Sequence, residues 1–435
     1  MKKRINLSIL AVSVAFCLTA ETWSLEQCID YAVSNNISLK TSIARNSDTK
    51  LEIEQARNGY LPKINGYAQQ GFNFGRGLTA ENTYANRNTA NTSVGAQLSL
   101  PLFDGLSTWR QVAYAKANLA TALLETEATR DDITLNVIAA YLQVLYYREL
   151  QQSATHQVEL SKFQLDNQLA LLDVGKIPEV DILEARSQLA QDEYSLANAA
   201  NQSQLALVDL ARLLSLNDMD GFDISPLENT EVIIPSIDVI YALAMRRNPS
   251  VLAARSATTA AESAISLAKT GYIPRLDFNA GIGSSYYRIS GLHNDSFSRQ
   301  FRNNYSTQLG FSLSIPIFDG LTTSNAIKKA QVNKVIASLQ LDDAKQKLLT
   351  SIRQAYYTAD GAYKRLQASV TAQDASAASF SAISEKFALG RATPTEYETA
   401  KAKALQAEVN TLQARYELLL RTRILYFYAY GRGQQ

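Results

Sequence analysis

The segment GYLPKI at residues 59–64 returns as GYIPRL at residues 271–276, and LSLPLFDGL at residues 98–106 returns as LSIPIFDGL at residues 313–321. Both pairs keep nearly the same separation along the chain. Solenoid repeats run about 20 to 50 residues, so this much longer period predicts one unit duplicated in tandem. The predicted boundaries are a first repeat over residues 21–216, a linker over 217–236, a second repeat over 237–430 and a C-terminal tail over 431–435.

The N-terminal residues indicate export. A basic start followed by the apolar residues 5–18 is typical of a secretory signal peptide, which we place at residues 1–20. The run is shorter than the roughly 20 apolar residues that a membrane-spanning helix needs. Lipidation at Cys17 is a weaker alternative, because the bulky Phe16 stands where a small residue is expected. After cleavage Cys28 alone remains, so no disulfide within the chain is predicted.

Long stretches without glycine or proline predict long helices. Neither residue occurs in 106–174, and in 321–389 only Gly361 interrupts the pattern. As one helix each stretch would be roughly 100 Å long, and such a helix needs a partner along its length, as in a coiled coil or bundle. Each stretch ends at a glycine turn, Gly175 or Gly390, followed by a shorter helix. The other predicted helix limits are 25–57 and 237–270 for an opening helix in each half, and ends near residues 216 and 430 for the shorter helices.

Between the opening helix and the long helix, each half changes to a period of two. Apolar residues alternate with Ser, Gly and Gln over 93–102 and 308–317, and weaker alternation covers 64–74 and 276–287. This pattern predicts four strands with one apolar and one polar face. Their length suits a tilted transmembrane strand. Residues predicted to face lipid are Leu98, Leu100, Phe311 and Leu313. The segments between the paired strands, 75–90 and 289–304, are predicted to be polar loops.

Four strands cannot close a barrel, because about eight are the minimum. Open strand edges are not tolerated in lipid, so a membrane location would require other copies of the chain to complete the barrel. The alternative is a soluble four-stranded sheet whose apolar face packs on helices. The signal peptide and the aromatic residues near the strand ends favour the membrane location.

Three paired features resemble those of the TolC-like outer-membrane efflux proteins. They are the Gly-Tyr-x-Pro segment before the first strand, the Pro-x-Phe-Asp-Gly segment after the second, and the two glycine turns with Ala185 and Ala400 at equal distance beyond them. The resemblance implies an α+β membrane protein that is a homotrimer. Its long helices would form an α-helical coiled-coil barrel, and its four strands per protomer would contribute to a 12-stranded outer-membrane β-barrel.

The same resemblance implies a function. Such proteins are the outer-membrane exit channels of tripartite efflux or type I secretion systems, which pass small molecules or proteins from a periplasmic tunnel to the exterior. The implied partners are a second and third copy of the chain, a periplasmic adaptor (membrane fusion) protein, an inner-membrane pump and outer-membrane lipid. The turns at Gly175 and Gly390 are the predicted adaptor contacts, since paired helices ending in exposed turns offer grooves to partner helices.

A periplasmic gate is implied near these turns. Family members commonly carry acids shortly after each turn glycine, and Asp181 and Glu396 occupy those positions here, with Glu184 one turn beyond Asp181. Arg391 is the candidate cation that ties the closed state, although it stands one position away from the family pattern. The alternative interpretation is that the acids only stabilise helix N-termini by interacting with the helix dipole.

Two departures from the family pattern favour a loosely closed gate. Phe387 stands where a tyrosine is common, which would remove a hydrogen bond from the closed state. Thr399 stands where family members with a narrow entrance often have aspartate.

Signs of enzyme chemistry are missing from the sequence. His156 and His293 lack metal-ligand spacing, and neither a phosphate-binding glycine loop nor a nucleophile elbow occurs. We therefore predict a non-enzyme without cofactor or metal. The net charge of +1 gives no basic surface for nucleic acid. The alternatives to a passive channel are a periplasmic coiled-coil adaptor without a conducting pore and an outer-membrane anchor with a plugged lumen.

Overall fold

The computed structural model describes residues 22–78, 82–216, 218–227 and 236–433. The predicted signal peptide and Cys17 lie outside the described residues, as do parts of the predicted linker and tail. The described chain forms two compact units, and each contains pieces of both sequence repeats. The first unit comprises residues 22–40, 128–247 and 348–433, and the second comprises 41–127 and 248–347, less the undescribed residues.

The helices and strands include the four predicted strands and the two long helices in the predicted order. In chain order they are β1 (Thr22–Trp23), α1 (Leu25–Asn35), α2 (Ile37–Arg57), β2 (Lys63–Asn73), β3 (Arg76–Leu78), β4 (Tyr84–Asn86), β5 (Thr89–Phe103), α3 (Ser107–Asp173), α4 (Glu179–Leu214), β6 (Asp223–Ile224), α5 (Ile237–Arg247), α6 (Pro249–Ala268), β7 (Arg275–Ile289), α7 (Phe297–Asn303), β8 (Ser306–Ser314), α8 (Thr322–Ala388) and α9 (Pro394–Tyr430). The two long helices, α3 and α8, each have 67 residues, which confirms the prediction from the missing glycine and proline. Among the described helices, none combines the length and the apolar character that crossing a membrane requires.

The second unit contains one antiparallel sheet in the order β2-β5-β7-β8. Its register places Leu98 opposite Ala280, Leu100 opposite Phe278, and Phe278 opposite Phe311. Because side chains alternate between faces, these apolar residues share one face with Ile64 of β2, whereas Tyr67 of β2 lies on the other face. On β8, Phe311 is 72% exposed and Leu313 61%. The predicted amphipathic strands are therefore confirmed, with their apolar face uncovered in one protomer.

Each long helix begins with the same carboxylate cap. The backbone N–H of Thr108 donates to Asp104 Oδ2 at 2.6 Å, and that of Thr323 donates to Asp319 Oδ2 at 2.7 Å. The carboxylate thereby satisfies an N–H group that has no partner within the helix. This accounts for the aspartate of the Pro-x-Phe-Asp-Gly segment in both repeats.

The two glycines of the Gly-Tyr-x-Pro segments pack against the same helix starts. A Cβ atom on Gly59 would lie 2.7 Å from Thr108 Oγ1, and one on Gly271 would lie 2.6 Å from Thr323 Oγ1. These distances are too short for a side chain without a shift of the neighbour. In each repeat, the Gly-Tyr-x-Pro segment therefore packs against the start of the long helix.

The core of the first unit surrounds Tyr141 of α3. Its hydroxyl donates to the carbonyl oxygen of Ser225 at 2.6 Å and lies 3.1 Å from that of Trp23, next to the parallel pair β1–β6. Buried around it are Leu25, Cys28, Val137, Ile138, Leu210 and Leu214. Burial, and to a lesser extent Glu26, raises the pKa of the Cys28 thiol to about 12. Part of the predicted linker therefore belongs to this core.

The prediction of one continuous opening helix in each half is wrong. The first is broken at Asn36, whose Oδ1 accepts the Ser38 N–H at 2.9 Å, and the second at Asn248, whose Oδ1 accepts the Val251 N–H at 3.1 Å. Each asparagine starts a new helix by capping it. In the second half Pro249 reinforces the break, because proline disfavours helical geometry in the residue before it.

The prediction of polar loops between paired strands is also wrong in detail. The first segment contains the β3–β4 hairpin and the second contains α7. Side-chain amides tie the second segment to β7 beyond the end of β8. Gln300 accepts the Tyr287 N–H at 2.9 Å and donates to the Tyr287 carbonyl at 3.0 Å, and Asn294 forms the same pair of bonds with Ile289. These amides replace the bonds of a neighbouring strand.

The strands also differ from their predicted lengths. β5 and β7 have 15 residues each, whereas β8 ends at Ser314, so Ile315 and Ile317 lie outside the sheet. Proline lacks an N–H group, which explains why β8 stops before Pro316. In β5 the equivalent Pro101 is accommodated by a shift of register between Pro101 and Phe103.

Candidate functional site

The two helix–helix turns have the same backbone geometry. Gly175 has φ +67° and Gly390 has φ +69°. The N–H of Gly175 donates to the Leu172 carbonyl at 2.8 Å, and that of Gly390 donates to the Phe387 carbonyl at 2.9 Å. The next N–H group in each turn bonds one residue further back, which completes a left-handed helix C-cap. The turns thus have the same local construction in the two repeats.

Glu396 is engaged in a capping box at the start of α9. Its carboxylate accepts the Thr393 N–H at 2.8 Å, while the Glu396 N–H donates to Thr393 Oγ1 at 3.2 Å. The hydrogen bonds from the Thr393 backbone and side chain lower the pKa of Glu396, so it stays ionised near neutral pH. The capping interpretation therefore holds for this acid, and its charge is still available at the surface.

Phe387 has an aromatic partner in place of a hydrogen bond. Its ring centroid lies 4.8 Å from that of Tyr397, which also contacts Phe380 at 5.4 Å. Tyr397 is only 4% exposed. Phe387 therefore fastens the end of α8 to the start of α9 by packing.

Asp181 and Glu184 line a groove of about 530 Å³ formed by α3, α4 and α9, and Thr399 lies on the same wall as the other α9 residues. Among the described residues, neither carboxylate has a side-chain partner. Arg391 is exposed and, within the described part of one protomer, forms no ion pair. One protomer thus brings Asp181, Glu184 and Thr399 together, while Arg391, Glu396 and Phe387 lie at the turn outside this groove.

A buried charge pair lies at the floor of the groove. Lys401 of α9 has a side chain that is 3% exposed, and Asp192 of α4 has one that is 8% exposed. Lys401 Nζ lies 2.7 Å from Ser161 Oγ of α3 and 3.4 Å from Asp192 Oδ2. Glu398, one turn earlier in α9, is 3.9 Å from the same ammonium group. Together with Gln157 and Gln188, these residues are called the polar cluster below.

The polar cluster is almost fully hydrogen-bonded. Asp192 accepts from Gln157 at 3.2 Å, from Gln188 at 2.9 Å and from Ser161. Burial raises the pKa of Glu398, and the charge of Lys401 opposes that rise. By contrast, Oε1 of Gln168, also on the groove wall, is buried without a partner in the described structure.

Sequence reasoning missed the polar cluster. Its members come from three helices, and Lys401 is separated from Ser161 by 240 positions. One local signal existed, because Lys401 lies one turn after the buried Tyr397 and therefore on the apolar stripe of α9.

The comparisons with known proteins decide the family. The family model described as outer membrane efflux protein matches residues 28–215 and 240–429, one match for each repeat. The chain belongs to the outer membrane efflux protein family. The outer-membrane protein TolC of Escherichia coli (strain K12) is 25% identical over 431 residues, covering 97% of this chain and 85% of TolC. The alkaline protease secretion protein AprF of Pseudomonas aeruginosa is 24% identical over 341 residues, covering 76% of this chain and 68% of AprF.

Solved structures show the same fold. A membrane protein from Pseudomonas aeruginosa superposes with a TM-score of 0.76 at 18% identity, covering 93% of this chain and 89% of that one. The Campylobacter jejuni CmeC outer membrane channel gives 0.75 at 18% identity, covering 94% and 85%. Family and fold confirm the predicted α+β membrane architecture, the outer-membrane location with a periplasmic helical extension, and the role as an exit channel. CmeC is named as an outer membrane channel, and with the family match the alternative of a periplasmic adaptor without a pore is set aside.

Proposed function

We propose that three copies of this chain form one outer-membrane duct of twelve strands, which continues into a periplasmic tunnel of helices. The observation that carries the proposal is the four-stranded sheet with β2 and β8 at its edges. About eight strands are the minimum for a closed barrel, and unpaired strand edges are not tolerated in lipid. Each copy therefore needs neighbours on both sides.

The edge strands suit this assembly. Each strand of the sheet runs antiparallel to the next, so β2 and β8 run in opposite directions. β8 of one copy would therefore pair with β2 of the next in the same antiparallel manner. β2 has 11 residues and β8 has nine, which are nearly matched lengths. Such a head-to-tail contact closes into a ring when the rotation between copies closes.

The duct is proposed to be passive, so the energy for export comes from an inner-membrane pump joined by a periplasmic adaptor. The names of similar proteins support both types of cargo. AprF is named for alkaline protease secretion and OpmQ of Pseudomonas aeruginosa for pyoverdine export. We infer that this chain serves an efflux or type I secretion system of this general kind.

The turns at Gly175 and Gly390 are proposed as the adaptor contacts. Large apolar side chains are exposed around them: Val174 is 66% exposed, Val180 59% and Leu389 70%. Clustered apolar exposure is a feature of surfaces that bind another protein. The paired helices that lead to each turn provide the grooves in which partner helices bind.

Cross-linking in mild detergent tests the assembly. A trimer with mixed helix and strand content is expected, and its reconstitution in a planar bilayer should give single-channel conductance. A stable monomer that stays soluble without detergent would contradict the trimer. A stable trimer that does not conduct would instead indicate an outer-membrane anchor with a plugged lumen.

A further inference from the structure

We propose that Lys401 is a latch on a seam that is built to open between α9 and the α3–α4 pair, with Glu398 as the second position of its ammonium group. In the closed arrangement Lys401 bonds Ser161 and Asp192 across the seam. In the open arrangement it pairs with Glu398 of its own helix. The consequence for conductance rests on the proposed channel function, whereas the latch itself does not.

Separating a buried ion pair is costly. Removing one partner from such a pair leaves an uncompensated charge in a poorly solvated place, which is strongly destabilising. Lys401 and Asp192 are both almost fully buried. If each had only the other as partner, α9 would be locked against α4.

Lys401 and Asp192 each have further partners on their own side of the seam. Asp192 retains its bonds from Gln157, Ser161 and Gln188, all of which belong to α3 or α4. Lys401 retains Glu398, three residues earlier in α9, at 3.9 Å. Separation therefore exchanges one pairing for another and leaves neither charge alone.

Glu398 and Asp192 differ in their access to solvent. The Glu398 side chain is 35% exposed, far more than that of Asp192. Movement of the ammonium group toward Glu398 is thus movement toward solvent, where a charge is better hydrated. Lysine suits this role because its flexible stem carries a compact charge that can reach either carboxylate.

The seam also differs from the rest of the unit. Around Tyr141 the same unit buries apolar side chains such as Val137 and Leu210, and separating them would expose apolar surface to water. Nearer Tyr141, α9 also contributes apolar side chains such as Leu420 to this core. At the groove end of the seam the central contacts are those of the polar cluster, and Gln168 contributes a buried oxygen without a partner among the described residues. Opening would hydrate that oxygen, which lowers the cost of opening at this place.

The test measures distances across the seam. Spin labels at Arg186→Cys of α4 and Gln406→Cys of α9 both occupy exposed positions, and Cys28 is buried. Labelled chains are diluted with unlabelled ones so that each assembly carries one labelled pair. Double electron–electron resonance then reports the populations of short and long distances in the detergent-solubilised protein.

Two substitutions should act in opposite directions. Asp192→Asn weakens the closed pairing and should raise the ratio of long to short distances by about tenfold, which corresponds to about 1.4 kcal/mol. Glu398→Gln removes the second position and should lower that ratio by a similar factor. Glu408→Gln, which removes a carboxylate of α9 outside the polar cluster, should leave the distances unchanged.

Shifts in the same direction for Asp192→Asn and Glu398→Gln would overturn the latch, as would a Glu398→Gln protein that matches Glu408→Gln. If Asp192→Asn fails to assemble, Glu398→Gln decides alone, since that side chain is only half-buried. The distances are measured whether or not the protein conducts. A protein that shows the expected distance shifts but does not conduct would therefore contradict the channel function and still support the latch.

Discussion

Gly175 and Gly390 are required by backbone conformation rather than by lack of space. Nothing lies within 4 Å of the place where a Cβ atom would stand on either residue, yet both have φ near +70°. Left-handed geometry costs a residue with a side chain roughly 1–2 kcal/mol. Gly59 and Gly271 present the opposite case, because there a side chain would collide with a threonine. The sequence repeats both kinds of glycine for different physical reasons.

Replacing either turn glycine with valine should impair export more than trimer assembly. The β-branched side chain strains the left-handed cap and displaces the exposed apolar residues proposed to contact the adaptor. Export assays and heat-stable trimer on gels measure the two effects. Gly361→Ala, inside α8, is the matched control and should leave both unchanged. Equal loss of trimer and export would mean that Gly175 and Gly390 serve folding alone.

Helix and strand limits were predictable wherever a local signal marks them. The long helices end shortly before Gly175 and Gly390, and their starts are capped by Asp104 and Asp319, all of which act through neighbours in sequence. The break at Asn36 has a local part, the cap formed by its side-chain oxygen, and a distant part, the bond from its amide to the Leu213 carbonyl, which the sequence does not show. The signal at Pro249 was present in the sequence and was overlooked.

The candidate site was predictable only in part, for the same reason. The turn glycines and the acids that follow them form a local pattern that the sequence displays. The polar cluster joins Ser161, Asp192 and Lys401 from three helices, and nothing in the neighbourhood of any one of them predicts the other two. Polar partners that are distant in sequence become visible only when the packing of the helices is known.

Arginine should be tolerated on one face of β8 and not on the other. Leu313 lies on the apolar face opposite Leu276, so Leu313→Arg is expected to place a charge against lipid. Because Leu313 is next to the last residue of β8, the expected cost is below the roughly 2–4 kcal/mol of a midplane position. Ser312 lies on the polar face opposite Asp277, with which an introduced arginine can pair. Urea titration of folding into lipid vesicles, together with heat-stable trimer on gels, compares the two variants. Normal insertion of Leu313→Arg with failure of Ser312→Arg would show that the register is inverted.

The duplication gives the whole molecule two helical hairpins with the same backbone turn and different side chains around it. Glu396 is held in a capping box, whereas Asp181 carries no side-chain partner in the described structure. Phe387 packs on Tyr397, and Arg391 is free to reach groups outside its own protomer. A threefold assembly would place three copies of each acid around one axis. Such like charges repel one another and attract cations into the opening.

We therefore expect a cation-preferring channel that divalent cations block, and a modest rise in conductance in Arg391→Ala. Asp181→Asn combined with Glu396→Gln should weaken both the cation preference and the block. Glutamine can still accept the Thr393 N–H in a capping box, so this variant removes charge without removing the cap. Planar-bilayer recordings at several calcium concentrations measure both properties.

Adding a carboxylate at Thr399 tests the same idea in the opposite direction. Thr399 lines the groove with Asp181 and carries no charge, so Thr399→Asp should strengthen divalent block, while Thr399→Asn should change it little. Weaker divalent block in Asp181→Asn/Glu396→Gln, together with stronger block in Thr399→Asp, would locate the acids that attract cations at the periplasmic turns. Unchanged selectivity and block in the double variant would mean that Asp181 and Glu396 act only as helix-terminal acids and that the gate lies elsewhere.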